Sequence, residues 1–238
     1  MSDIFSSLDD ELRQELTEYL SGFITQNKLD KIEQVLRWRT RHITVVLEDI
    51  YQPQNASAVI RTCDCFGIQD LHIIENRNEF RTKKAVTQGA SKWVDLHRWT
   101  GGTRDNSRPC LHHLREKGYT LVATTLSDAA ITPDELDLRE KTALIFGNEE
   151  DGISEVVAGE ADVFLKYPMY GFTQSFNISV SAALIVSHLI HRLHAADIPW
   201  QLDDNSVRDL RLQWIRRVLG PERKSELLAS RYLQERRK

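Results

Sequence analysis

Three short segments gather the side chains with which this chain could do chemistry. The first is Gln52-Pro53-Gln54-Asn55, with Arg61 six residues beyond Asn55. The second is Gly147-Asn148-Glu149-Glu150-Asp151-Gly152, and the third runs from Pro168 through Met169, Gln174, Ser175 and Phe176 to Asn177. Amide, guanidinium, carboxylate and hydroxyl groups of this kind orient a polar substrate and stabilise charge that develops on it. No GxSxG elbow, GxxxxGK[ST] loop or GxGxxG turn accompanies them. That argues against a serine hydrolase, a P-loop NTPase and a dinucleotide-binding Rossmann domain. Metal chemistry has no support in the spacing either. Cys63 and Cys65 are separated by one residue and Cys110 is remote, His112 and His113 are adjacent, and His188, His191 and His194 read as a polar helix stripe.

The elements that must carry these segments follow from periodicity. ITVVLEDI (43–50), IQDLHIIE (68–75), the region 93–99, YTLVATTL (119–126), TALIFG (142–147) and DVFLKYP (162–168) read as strands. Between them the pattern predicts helices: one capped by Asn55 and ended by Gly67, one near 110–117, a short one in GISEVVAGE, and a long one over NISVSAALIVSHLIHRLHAA, starting at Asn177. Strands alternating with helices predict an α/β fold whose parallel sheet is covered on both faces. In such sheets ligands gather at the carboxyl ends of the strands, where all three polar segments fall. Residues 8–39 read as two helices broken at Gly22, and a helix capped by Asn205 and another after Pro221 make up the tail. The organisation expected is a helical extension over 1–41, a central domain over 42–196 and a basic helical tail over 197–238.

NASAVIRTCDCFGI, ALIFGNEEDGIS and KYPMYGFTQSFNISVSAAL resemble, in order and spacing, the three signature motifs of the SpoU branch of the SPOUT methyltransferases, and most of all the TrmH-type tRNA guanosine-2′-O-methyltransferases. The resemblance covers roughly residues 41–195. It implies a C-terminal trefoil knot, a homodimer and S-adenosylmethionine as cofactor, with methyl transfer to a ribose 2′-hydroxyl of RNA, tRNA before rRNA. It gives catalytic roles to Asn55, Arg61, Glu149, Ser175 and Asn177. Cofactor contacts fall to Thr124, Gly147, Tyr167, Met169 and Phe176. Two alternatives stay open: an rRNA ribose methyltransferase of the same branch, and a non-catalytic RNA-binding factor with this fold.

Arg61 carries a difficulty of its own. Six residues turn a helix by about 600°, so Arg61 and Asn55 share no face, and both can serve one reaction if Arg61 reaches across to another strand or subunit. The resemblance implies a general base there, but a guanidinium with a pKa above about 12 is also suited to remain charged and stabilise an alkoxide. Glu150 stands where many relatives carry lysine.

Charge distribution bears on the RNA. The chain of 238 residues has a formal net charge of −4, yet from Asn205 to the end ten basic residues face four acidic ones, a net of +6, and the first 27 residues carry −5. A second basic cluster, Lys28, Lys31, Arg37, Arg39 and Arg41, precedes the first strand. Cations fix register on phosphates, and the resemblance points to Lys31, Arg39, Arg41 and Arg192 as RNA contacts. MSDIFSSLDDELRQ lacks the basic and apolar regions of a secretory signal, and no run of about 18 uninterrupted apolar residues occurs, so a cytoplasmic protein with no membrane partner is expected.

Overall fold

Apolar runs that bury both faces decide the sheet. The structure is a computed structural model and describes residues 5, 8–82, 87, 89–101 and 105–236. Its strands are Ile43–Glu48 (β1), Asp70–Ile74 (β2), Asp95–Trp99 (β3), Tyr119–Thr124 (β4), Lys141–Phe146 (β5) and Val163–Leu165 (β6). Its helices are Asp10–Ser21 (α1), Gln26–Leu36 (α2), Pro53–Cys65 (α3), Ser107–Glu116 (α4), Glu155–Glu160 (α5), Ile178–Ala195 (α6), Asp204–Leu219 (α7) and Glu222–Arg236 (α8). The chain divides into two compact units, residues 40–201 and residues 1–39 with 202–238.

In the first unit the strands pair in parallel in the order β3-β2-β1-β5-β4-β6. β1 lies at the centre, with Val45 opposite Leu71 on one side and Leu144 on the other. The two-residue period of a strand then sorts its side chains. Ile43, Val45 and Leu47 join Ile60 of α3 and Ile185 and Leu189 of α6 in one core, while Val46 joins Cys110 and Leu114 of α4 and Val157 of α5 in the other. Helices therefore cover both faces, as the alternation predicts. α6 is long and apolar enough to cross a membrane by length and composition, but Ala182, Ile185, Val186, Leu189, Ile190 and Leu193 are buried in this core.

Two cap assignments change. α3 begins at Pro53, whose fixed φ suits the first helical position, so Asn55 sits inside the first turn and not at the cap. α7 is capped by Asp203, whose carboxylate accepts from Ser206 N at 2.7 Å, in place of Asn205. β6 is also shorter than its sequence pattern, ending at Leu165 and leaving 166–177 free to form a loop.

The second unit is helical. Leu16 and Leu20 of α1, Ile32 and Leu36 of α2, and Leu210, Trp214 and Ile215 of α7 are buried. Arg39 is 1% exposed, its guanidinium 5.1 Å from the Trp214 ring centroid. Arg13 pairs with Asp209, Arg211 with Glu33, and Glu15 meets both Arg236 at 3.0 Å and the Tyr232 hydroxyl at 2.9 Å.

Candidate active site

The carboxyl ends of β1, β4, β5 and β6 surround a cavity of about 660 Å³, within the range of small-molecule sites. Nine residues singled out from sequence line it: Asn55, Glu149, Ser175, Asn177, Thr124, Gly147, Tyr167, Met169 and Phe176.

A chain of hydrogen bonds joins the three polar segments. Glu149 accepts from the backbone N–H groups of Tyr51 at 3.0 Å and Gln52 at 3.2 Å, and from the Asn55 side-chain amide at 2.8 Å. Asn55, 5% exposed, turns its carbonyl oxygen to the Asn177 amide at 3.1 Å. Asn177 in turn caps α6, accepting from Ser179 N at 2.9 Å and Ser179 Oγ at 2.7 Å. A buried amide with both ends bonded is held in one orientation, because rotating it would strand a donor against a donor.

Gly147 is required by a close approach. A Cβ there would lie 2.1 Å from the backbone carbon of Gly152 and 2.3 Å from Ile153 N. The crossing is held by Asn148 N to Gly152 O at 2.8 Å and Gly152 N to Asn148 O at 3.0 Å. Across the cavity, the Tyr167 and Phe176 rings meet edge to face at 6.3 Å, and the Thr124 hydroxyl donates to Ile145 O at 3.0 Å. Of the acidic run, Glu149 is met by N–H donors and Asp151 by Arg77 at 2.8 Å, while Glu150 is exposed at the cavity wall.

Arg61 is not brought to this cavity. It is exposed on α3 and makes no hydrogen bond or ion pair to any described residue. The four cations expected on RNA also separate. Lys31 is exposed, with Nζ 3.1 Å from Gln34 Oε1. Arg39 is buried against Trp214, which removes it from direct phosphate contact. Arg41 bridges Asp70 at 2.9 Å and Asp95 at 3.3 Å, and Arg192 donates to the carbonyls of Pro133 and Leu136. Leu126 and Lys166 line the cavity without having been singled out; each stands just past a strand, but nothing in its residue type distinguishes it.

The SpoU rRNA Methylase family model matches residues 42–187. A tRNA (guanosine(18)-2′-O)-methyltransferase of Borreliella burgdorferi is 41% identical over 212 residues, 89% of this chain and 94% of that protein. An enzyme of the same name from Thermus thermophilus is 35% identical, over 81% of this chain and 98% of that one. The crystal structure of the A. aeolicus TrmH/SpoU tRNA modifying enzyme superposes with a TM-score of 0.73 at 26% identity, covering 82% of this chain and 98% of that one. On these matches, and on the three motifs that meet at one cavity, the chain belongs to the SpoU methylase family.

Proposed function

We propose that this protein methylates the ribose 2′-hydroxyl of guanosine 18 in tRNA, with S-adenosylmethionine as methyl donor. The observation that carries the reading is the hydrogen-bonded line Glu149–Asn55–Asn177, which ties one residue of each motif to the same cavity. Relatives named for this reaction, matched over most of both chains, support the substrate.

The cavity suits the cofactor on its own chemistry. Met169, Phe176, Leu126 and Ile185 offer apolar surface, and the glycine crossing at Gly147 exposes main chain to a ligand. When bound, S-adenosylmethionine supplies an electrophilic methyl on a sulfonium. The residues of this chain have the task of aligning the 2′-oxygen and excluding competing geometries. Asn55 and Asn177, fixed by their mutual bond, orient the sugar, and Ser175, exposed at the cavity, contributes a hydroxyl. A charged Arg61 stabilises the oxygen as it becomes an alkoxide, leaving water or phosphate to take the proton.

Since Arg61 does not line the cavity of its own chain, it serves the cavity of a second copy, so the active form is a homodimer. Tyr170, Phe172 and Val180, all exposed and apolar beside the cavity, support such a contact. The segments 147–152 and 166–177, which line one cavity, are where the knot of the family would form. Three free cysteines fit a reducing cytoplasm. Among RNA contacts, Lys31 keeps its place and is joined by exposed Lys28 and Arg37.

The test is incubation with labelled S-adenosylmethionine and separated tRNA and rRNA from a strain lacking this protein, followed by mapping of the label. Label on the ribose of guanosine 18 in tRNA is expected; label confined to rRNA or to a base overturns the reading.

A further inference from the structure

Two consecutive residues at the end of β1 hold both ends of the loop that carries Glu149. Glu48 is 2% exposed, and its carboxylate accepts from Ser107 Oγ at 2.6 Å, Ser154 Oγ at 2.7 Å and Ser154 N at 2.9 Å. The carbonyl of Asp49 accepts from the Asn148 amide at 2.7 Å and from the Asn78 amide at 2.9 Å. Asn148 immediately precedes Glu149 and Ser154 lies five residues beyond it, so the loop hangs from adjacent points of one strand.

That support matters because packing supplies only part of it, Ile153 resting against the core around Val46 and Val157. Asn148, Asp151, Gly152 and Ile153 line the 660 Å³ cavity on one side and a second cavity of about 420 Å³ on the other. A wall that borders two cavities depends on its hydrogen bonds for the rest of its support. Asp49 is also the one non-glycine residue among those described with a left-handed backbone, φ 57°. The conformation is unfavourable for an L-residue and is stabilised here by a dense set of bonds. Its carboxylate accepts from Asn76 N at 3.0 Å, Arg77 N and Asn78 N at 2.8 Å each, and Arg77 Nε at 3.0 Å. Burial pushes this carboxyl up, yet the N–H groups of Asn78, Arg77 and Asn76 and the Arg77 guanidinium hold it below the usual carboxylate range. From Asp49 the chain continues to Tyr51 and Gln52, whose N–H groups grip Glu149 from the other side.

We propose that Glu48 and Asp49 are positioning residues for methyl transfer: neither lines the reaction cavity, and together they set where Glu149, and through it Asn55, stands. The proposal rests on the methyl-transfer reading above. Its test compares kcat at saturating tRNA and S-adenosylmethionine, with Tm recorded alongside, for wild type, Glu48→Gln, Asp49→Ala, Asp49→Gly and Thr44→Val. Thr44 makes a buried bond to Asp70 O at 2.8 Å at the other end of β1 and serves as the purely structural control.

Glu48→Gln is expected to lower kcat by about 10- to 100-fold, the scale of a small misplacement of reacting groups, while Thr44→Val lowers Tm with kcat within about twofold of wild type. Asp49→Gly, which adopts the left-handed backbone freely, is expected to keep roughly tenfold more activity than Asp49→Ala. A Glu48→Gln protein with lowered Tm but unchanged kcat, or equal kcat for the two Asp49 variants, overturns the proposal. A wild-type protein that methylates no RNA ribose overturns the functional reading itself, which separates the two failures.

Discussion

Glu149 and Glu48, in the unit of residues 40–201, are held by neutral donors, whereas the acids of the helical unit of residues 1–39 and 202–238 that tie its helices together are met by arginines. Around the cavity, Glu149 is held by two backbone N–H groups and an amide, and Glu48 by two hydroxyls and a backbone N–H. In the helical unit, Glu15, Glu33 and Asp209 are met by arginines. Neutral donors on fixed backbone give direction, which a reaction needs; ion pairs between long side chains give attraction that salt screens. The difference also bears on the charge of the basic tail. Arg211 and Arg236 are engaged with acids of the first 39 residues, so the tail's +6 is partly neutralised within its own unit.

The largest effect on turnover belongs to the cavity. Glu149→Ala removes the acceptor for three donors and should lower kcat by about 10²- to 10³-fold, by the same factor at low and high salt. A loss that varies with ionic strength would erase the contrast. On stability the largest effect is that of Trp214→Ala, which opens a cavity beneath Arg39 and should destabilise the helical unit by about 3–5 kcal/mol. Calorimetric titration should show S-adenosylmethionine affinity unchanged; a collapse of that affinity would mean that the two units do not act separately.

The pH dependence of stability is spread over several pH units and over groups that act in opposite directions. Burial first, and then the neighbouring His97, lower the His72 pKa to about 3, and Trp99 Nε1 donates to its Nδ1 at 3.2 Å, as a neutral ring requires. Below about pH 6.5 the unfolded chain therefore binds a proton that the folded chain refuses until about pH 3. Stability falls across that window by up to about 1.4 kcal/mol per pH unit. His97 acts in the other direction: its bond to Asp70 raises its pKa despite burial, so its stabilisation is complete below pH 6.5 and is lost as pH rises through the raised value. Unfolding midpoints from pH 4 to 8 should show the acid limb flatten in His72→Gln. Smallest is Arg211→Ala, expected to cost about 1 kcal/mol or less in urea titrations and to lose that effect at high salt.

Much of the molecule was legible in sequence, for physical reasons that also explain the misses. Buried parallel strands announce themselves as apolar runs, so β1, β4 and β5 are read within a few residues. Asn55 has the right side chain for an N-cap, but its role is decided by Glu149, 94 positions away, and by Pro53 starting the helix earlier. Arg39, Arg41 and Arg192 can be counted as cations, whereas their burial or pairing depends on Trp214, Asp70 and Pro133, distant in the chain. Glu48 and Asp49 look like the polar end of a strand, and a left-handed aspartate leaves no local mark.

Methyl transfer to a tRNA transcript carrying 2′-deoxyguanosine at position 18, compared with the unmodified transcript, tests the central claim most directly. Loss of transfer with retained tRNA binding is expected, since only the acceptor hydroxyl is missing. Undiminished transfer to the deoxy substrate would contradict ribose methylation at that nucleotide.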